Sequence, residues 1–357
     1  MMDETLVTAR FDDGELRRLE SAVGPVARAG YGFDGVLLTR DELLGRVSNV
    51  RRLIVEFEQV DDEVLASAPA LEVLACCRNE PAASVDLEAA HRRGITVLFT
   101  PGRNANAVAE YTVGLVLCAA RGIAAAHHAL RYTDEFTRTV TTDRMSRRDS
   151  TAQWSLDPGA PFDVFQGPEL AGRTLGMIGF GLIGQKVAQL LRAFGMSVLV
   201  FDPYVGAESL AIVDAQRVDI MTLARTSDVV AVAAKVTSES RGVVSRGVLE
   251  AMPSHAYFVN TARAALVDYD ALVDVLAARS IAGAALDVYP EEPLPGDSPL
   301  LALGNVVLTP HLAGASTDVV RHHSRQVVDD LLRLERGENP QYVATSDGAR
   351  RRSRPLR

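Results

Sequence analysis

The chain predicts an α/β protein made of two doubly wound parallel-sheet domains. Three observations lead there: its length, an alternation of short β-branched runs with longer helical stretches, and a single complete glycine-rich turn. At 357 residues it exceeds one ordinary core, so two domains of ordinary size are expected. The alternation of runs is the signature of βαβ units, whose strands lie parallel. The turn Gly179-Phe180-Gly181-Leu182-Ile183-Gly184 falls where a strand gives way to a helix, as it does at the start of a doubly wound sheet.

The elements follow in order. Strands are expected over residues 5–11, 53–57, 71–77 and 95–100. Between the last two, residues 85–94 read as a helix with Gly94 at its C-terminal cap. Residues 1–103 therefore form one parallel α/β domain. Residues 106–129, rich in Ala, Leu and Val at helical spacing, predict one long, mostly buried helix. From 131 to 168 the pattern lapses around Trp154, too long a stretch for an ordinary loop. It reads as an arm, a lid or a flexible insertion. Six strands are expected next, at 174–178, 197–202, 229–233, 257–260, 284–288 and 306–309, the count of a dinucleotide-binding sheet. A last amphipathic helix covers about 316–336.

Composition narrows the class. With 47% hydrophobic and 23% charged residues this is a globular chain, and a net charge of −9 leaves no electrostatic footprint for nucleic acid. The one basic run, within residues 350–354, belongs to a tail at 341–357 expected to be disordered. Cys76, Cys77 and Cys118 match neither a disulfide framework nor zinc spacing, so no metal is expected and the thiols suit a reducing compartment. The N-terminus lacks a secretory pattern and no apolar run reaches membrane-spanning length. A cytoplasmic protein with no membrane partner is expected.

The glycine turn carries chemistry because of its context: it follows an apolar strand, opens a helix and precedes an acidic residue at the next strand end. Gly179 permits the tight turn, Gly181 lets backbone approach a pyrophosphate, and Gly184 lets helix and strand pack closely. The helix N-terminus supplies amide donors through Leu182 and Ile183. Asp202 lies 18 residues after Gly184, where a carboxylate accepts from the adenosine ribose hydroxyls and repels a 2′-phosphate. NAD is expected over NADP, since Asp202-Pro203-Tyr204 offers no neighbouring arginine.

Three ionisable residues fall just beyond successive expected strands: Arg263, Glu292 and His311, separated by 29 and 19 positions. In a parallel sheet those ends share the edge where open α/β sheets bind ligands. Their chemistry fits hydride transfer beside a carbonyl. An imidazole exchanges the substrate proton, a guanidinium clamps a carboxylate, and a carboxylate orients the imidazole.

With these residues in place, the sequence closely resembles the D-isomer-specific 2-hydroxyacid dehydrogenases over about residues 50–335. The match is carried by segments 100–110, opening Thr100-Pro101-Gly102-Arg103-Asn104; 172–184, containing the glycine turn; 259–263, Val259-Asn260-Thr261-Ala262-Arg263; and 286–311, from Leu286-Asp287-Val288 through Glu291-Glu292-Pro293 to Thr309-Pro310-His311. The resemblance implies a phosphoglycerate dehydrogenase-like oxidoreductase of short form, without serine feedback. It would interconvert a 2-oxo acid and a D-2-hydroxy acid with NAD. His311 would be acid and base, Glu292 its partner, and Arg263 the carboxylate clamp.

The same resemblance implies a flavodoxin-like substrate domain, 1–103 with 312–340, and a Rossmann cofactor domain, 104–311, inserted within it. Cofactor contacts would come from Gly179, Gly181, Leu182, Ile183, Gly184, Asp202, Thr237, Thr261, Ala262, Asp287, His311 and Gly314, with Asp287 touching the nicotinamide carboxamide. Substrate contacts would come from Arg78, Asn79, Arg103, Asn104, Arg263 and His311. A homodimer is implied as well, with the 131–168 arm swapped or folded over a neighbouring site. Formate dehydrogenases are disfavoured, since they replace the histidine's acidic partner with an amide. NAD-sensing corepressors share the fold.

The chain departs from the family pattern in places. The usual glycine-rich substrate turn reads Cys77-Arg78-Asn79-Glu80-Pro81-Ala82-Ala83-Ser84-Val85, with no glycine and with a proline that cannot donate. Asn79 tolerates left-handed backbone, and Glu80 would have to point away from an anionic substrate. Arg78 and Arg103 are candidates for a second anion site taking a phosphate or phosphonate. Lys235 stands where a histidine- or proline-containing segment is usual, and Ala264 follows Arg263 where glycine is usual.

Overall fold

The computed structural model describes residues 5–133, 136, 159–345 and 348–349. Its contacts divide the chain between Asn104 and Ala105 and again between Gly314 and Ala315, giving two compact units.

The first unit holds five strands: β1 (Thr5–Val7), β2 (Ala27–Arg28), β3 (Arg52–Val55), β4 (Val73–Cys76) and β5 (Thr96–Phe99). All are parallel, in the order β2-β1-β3-β4-β5. This is the flavodoxin order, in which the chain runs outward from a central strand in both directions. β3 is buried along its whole length, as expected of a strand covered on both faces. Two-residue β2 carries too little pattern to register in the sequence. Asp86 caps the helix Leu87–Arg92 by accepting from the Ala89 amide at 2.9 Å, and Gly94 follows with φ +72°. The terminal helix Asp318–Glu335 packs Val327, Val328 and Leu331 onto Val7, Leu16 and Leu19. Cys76 and Cys77 end β4 in the interior, where burial raises both thiols, Cys76 to about 12, and leaves them inert.

The second unit holds seven parallel strands: β6 (Thr174–Ile178), β7 (Ser197–Phe201), β8 (Gln216–Arg217), β9 (Val229–Val232), β10 (Tyr257–Asn260), β11 (Gly283–Leu286) and β12 (Val306–Leu308). Their order is β12-β11-β10-β9-β6-β7-β8. Strand order reverses between β6 and β9, the switch point where doubly wound sheets take their ligands. The seventh strand, β8, is two exposed residues and escaped the sequence pattern. The helices Ala105–Ala120 and Leu182–Ala193 share one core cluster, with Ala109, Val113 and Val116 beside Val187, Ala188 and Leu191.

Two expectations are corrected. The tail expected to be disordered over 341–357 is ordered at its start, where Gln341 and Tyr342 donate their amides to Asp330 and Ala344 is fully buried in the core of the first unit. The single helix predicted over 106–129 is two, Ala105–Ala120 and Ile123–Tyr132, bent by 68°. Gly122 causes the break: its φ is +61°, and a Cβ there would stand 3.2 Å from the Phe165 carbonyl. Most of the arm predicted at 131–168 and the basic run at 350–354 lie outside the described residues. Among the described residues no single helix is long and apolar enough to cross a membrane.

Candidate active site

The glycine turn is built by close approach. A Cβ on Gly179, whose φ is +88°, would lie 2.5 Å from the Ala234 backbone, and one on Gly184 would lie 2.5 Å from the Gly179 carbonyl. A Cβ on Gly181 would meet nothing within 4 Å, so this glycine keeps open space before the helix instead of relieving a clash. The helix Leu182–Ala193 begins there with Gly181 at its N-cap and no side chain on its first amides. Open space facing free amides and a positive dipole end fits a pyrophosphate.

Asp202 follows β7 at the next strand end. Its Oδ2 accepts from the Phe180 amide at 2.7 Å and its Oδ1 from the Tyr204 amide at 2.8 Å. The first bond ties it to the glycine turn. A carboxylate has about four acceptor positions, so roughly two are left for ribose hydroxyls.

Further along the same edge come the three ionisable residues. Beyond β10, the Asn260 side chain accepts from the Ala262 amide and donates to the Arg263 carbonyl, fixing the turn that presents Arg263. Arg263 is exposed, and its Nη1 donates to the Ala262 carbonyl at 2.6 Å. Beyond β11, the Tyr289 amide donates to Glu292 Oε1 at 3.0 Å. The other oxygen, Oε2, lies 2.6 Å from His311 Nδ1. Burial works to raise the Glu292 carboxyl. The His311 bond, the Tyr289 amide and the charges of His311 and Arg263 outweigh it, and hold it below its ordinary value. Arg263, Glu292 and His311 thus share one electrostatic neighbourhood.

His311 sits at φ +54°. A non-glycine residue in that region costs about 1–2 kcal/mol, which its surroundings must offset. Asp287 supplies much of that restraint. Its Oδ1 accepts from Thr309 Oγ1 at 2.6 Å and from the Leu312 amide at 2.8 Å, and its Oδ2 from the Ala313 amide at 2.8 Å. The Tyr289 hydroxyl, shared between the Leu286 and Thr309 carbonyls, braces the loop from the other side. Asp287, expected beside the nicotinamide carboxamide, is fully enclosed, and its oxygens face the loop that carries His311.

The remaining expected cofactor residues lie along the same strand ends. Thr261 is buried, with Oγ1 2.8 Å from Thr112 Oγ1. Ala262 and Gly314 are half-buried, and Thr237 is exposed with its amide donated to Ser240 Oγ at 2.8 Å.

In the first unit, Asn79 joins the turns after β4 and β5. Its Oδ1 accepts from the Gly102 amide at 2.7 Å and its Nδ2 donates to Asn104 Oδ1 at 3.0 Å. Glu80 is exposed, and Pro81–Ala83 form a short 3-10 turn. Arg78 is half-buried over the Phe57 ring and bonds Ser84 Oγ at 3.2 Å. Arg103 corrects the second-anion reading. Its Nη1 pairs with buried Glu56 at 2.6 Å and lies 2.9 Å from His323 Nδ1, so its charge is already spent inside the unit.

Sequence reasoning missed Tyr289, Glu56 and His323. Tyr289 lies within the 286–311 segment, but nothing in its spacing announces the bond to Glu292. Glu56 and His323 meet Arg103 from 47 and 220 positions away, respectively, which no local pattern shows.

Residues 113–313 match the family model for the D-isomer specific 2-hydroxyacid dehydrogenase, NAD binding domain. YoaD of Bacillus subtilis, which carries a 2-hydroxyacid dehydrogenase name, is 36% identical over 95% of this chain and 93% of its own. A glyoxylate reductase of Thermofilum pendens is 34% identical over 87% of this chain and 85% of its own. Among solved structures, the TT0316 protein of Thermus thermophilus superposes with a TM-score of 0.74 at 33% identity, covering 95% of this chain and 99% of that one.

Proposed function

The chain belongs to the D-isomer-specific 2-hydroxyacid dehydrogenase family, NAD-dependent enzymes that interconvert 2-oxo and 2-hydroxy acids, and from that premise we propose that His311, Glu292 and Arg263 are its catalytic residues and D-2-hydroxy acids its products. The observation that carries this reading is the 2.6 Å contact between His311 Nδ1 and Glu292 Oε2, within the field of Arg263.

NAD, when bound at the glycine turn, supplies or accepts the hydride. The rest falls to the side chains. Glu292 engages Nδ1, which leaves Nε2 to give the proton to the substrate oxygen in reduction and take it back in oxidation. Arg263, exposed on the neighbouring strand end, clamps the substrate carboxylate and stabilises the charge that develops on the reacting oxygen. Asp202 accepts from the adenosine ribose and sets the preference for NAD over NADP. The first unit, Met1–Asn104 with Ala315–Arg357, is the substrate domain, and the second is the cofactor domain.

The test is loss of NADH absorbance with a panel of 2-oxo acids. The panel includes phosphorylated and phosphonate-bearing acids, because Arg78 has no carboxylate partner among the described residues. Turnover of at least one acid is expected, yielding the D product on chiral analysis. NADH binding with no turnover of any acid would instead favour a redox-sensing role. A homodimer is supported by the family resemblance, and analytical ultracentrifugation checks it.

A further inference from the structure

In the second unit β6 lies between β7 and β9, and its carboxyl end carries the glycine turn. A contact between the loop after β7 and the loop after β9 therefore spans the mouth of the dinucleotide crevice. Such a contact is present: the Tyr204 hydroxyl donates to Glu239 Oε2.

Both ends of this strap are braced. At one end the Tyr204 amide donates to Asp202 Oδ1 at 2.8 Å, so the tyrosine is registered against the carboxylate expected at the adenosine ribose. At the other, Ser240 Oγ accepts from the Thr237 amide at 2.8 Å and donates to the Lys235 carbonyl at 2.6 Å, closing the turn that holds Glu239. That turn leaves β9 through Ala233 and Ala234, the backbone against which Gly179 packs. Tyr204 is 81% exposed, so core packing does not explain its position. The Glu239 bond above all, with the charges of Glu239 and Asp202, lifts the phenol above its ordinary value, as expected when two carboxylates share its surroundings.

We propose that Glu239, held by Tyr204, is a second discriminating carboxylate of the adenosine subsite and acts with Asp202 to exclude a dinucleotide bearing a 2′-phosphate. The inference rests on the reading of Asp202 as the ribose acceptor. A phosphate monoester carries nearly two negative charges at neutral pH. Glu239 is linked to Asp202 through the single residue Tyr204, and the screening length between exposed charges falls from about 30 Å at 0.01 M salt to about 10 Å at 0.1 M. Its repulsion therefore reaches a 2′-phosphate at low ionic strength and fades at high. A neutral ribose hydroxyl feels little of it, so the carboxylate selects without weakening NAD.

The test needs no substrate. Dissociation constants for NADH and NADPH are measured by nucleotide fluorescence for the wild type, Glu239→Gln, Tyr204→Phe and Asp202→Asn, each at low salt and at about 0.5 M salt, where the Debye length is only a few ångström. Glu239→Gln is expected to tighten NADPH several-fold and leave NADH within two-fold, with most of the gain gone at high salt. Tyr204→Phe keeps the charge and frees its position, so its gain is smaller. An unchanged NADH-to-NADPH ratio in Glu239→Gln, beside a shifted ratio in Asp202→Asn, overturns the role of Glu239 alone. A ratio that Asp202→Asn also leaves unmoved overturns the ribose assignment, and this inference with it.

Discussion

His323 gives the most direct measurement of how the interior of the first unit is wired. The residue is fully buried. Its Nε2 lies 2.7 Å from the Arg10 carbonyl and must donate, while its Nδ1 lies 2.9 Å from Arg103 Nη1 and must accept. Only the neutral ring protonated on Nε2 meets both demands. A second proton, on Nδ1, would set two donors and two cations face to face. Burial first, then the charges of Arg103 and His322, hold the ring at about 4 against an ordinary 6.5, with the Arg10 carbonyl pulling the other way.

Between those values the unfolded chain binds a proton that the folded chain refuses. The contribution is therefore complete above pH 6.5 and is lost as pH falls toward 4. At about 1.4 kcal/mol per pH unit, the span from 6.5 down to about 4 amounts to about 3–4 kcal/mol. Urea unfolding measured from pH 7.5 down to 4.5 should show most of this loss in the wild type and little of it in His323→Gln, which keeps a donor and an acceptor but does not titrate. Asp228 and Glu292, both held below their ordinary values, lose their contributions only below about 3.8 and 4.5. Asp330, raised by burial, works in the opposite direction in both proteins alike and cancels in the comparison. Equal pH slopes for the two proteins would refute the reasoning.

Other outcomes follow from the same geometry. His311→Ala should leave the NADH dissociation constant near that of the wild type while kcat falls by a factor of about 10²–10⁴; weakened NADH binding with intact kcat would sink the acid–base assignment. Arg103→Ala strands buried Glu56 and should cost about 3 kcal/mol in urea unfolding, whereas a raised KM with unchanged stability would restore Arg103 to a substrate role. Gly179→Ala forces a Cβ onto the Ala234 backbone at positive φ, and should destabilise by about 2–4 kcal/mol as well as weaken NADH binding. A melting temperature equal to the wild type's would mean that the strand does not approach so closely.

What could be read from the chain alone was what repeats or sits close together in sequence. Long parallel strands such as β6 and β10 announce themselves as unbroken apolar runs, and the glycine turn carries its function in its spacing, because each glycine answers a local steric demand. Strands of two residues, β2 and β8, were invisible because two residues define no period. Gly122 broke a helix that its apolar pattern ran straight through, since the close approach of Phe165 comes from 43 positions away. The same limit governs the candidate site. Residue types and strand ends placed Arg263, Glu292 and His311 on one edge. Only the folded chain could show that Asp287 is an enclosed anchor, that Tyr289 holds Glu292, and that Arg103 is neutralised by Glu56. Charge and hydrogen bonding act through space, and an ionisable residue's role is decided by the partner that folding brings to it.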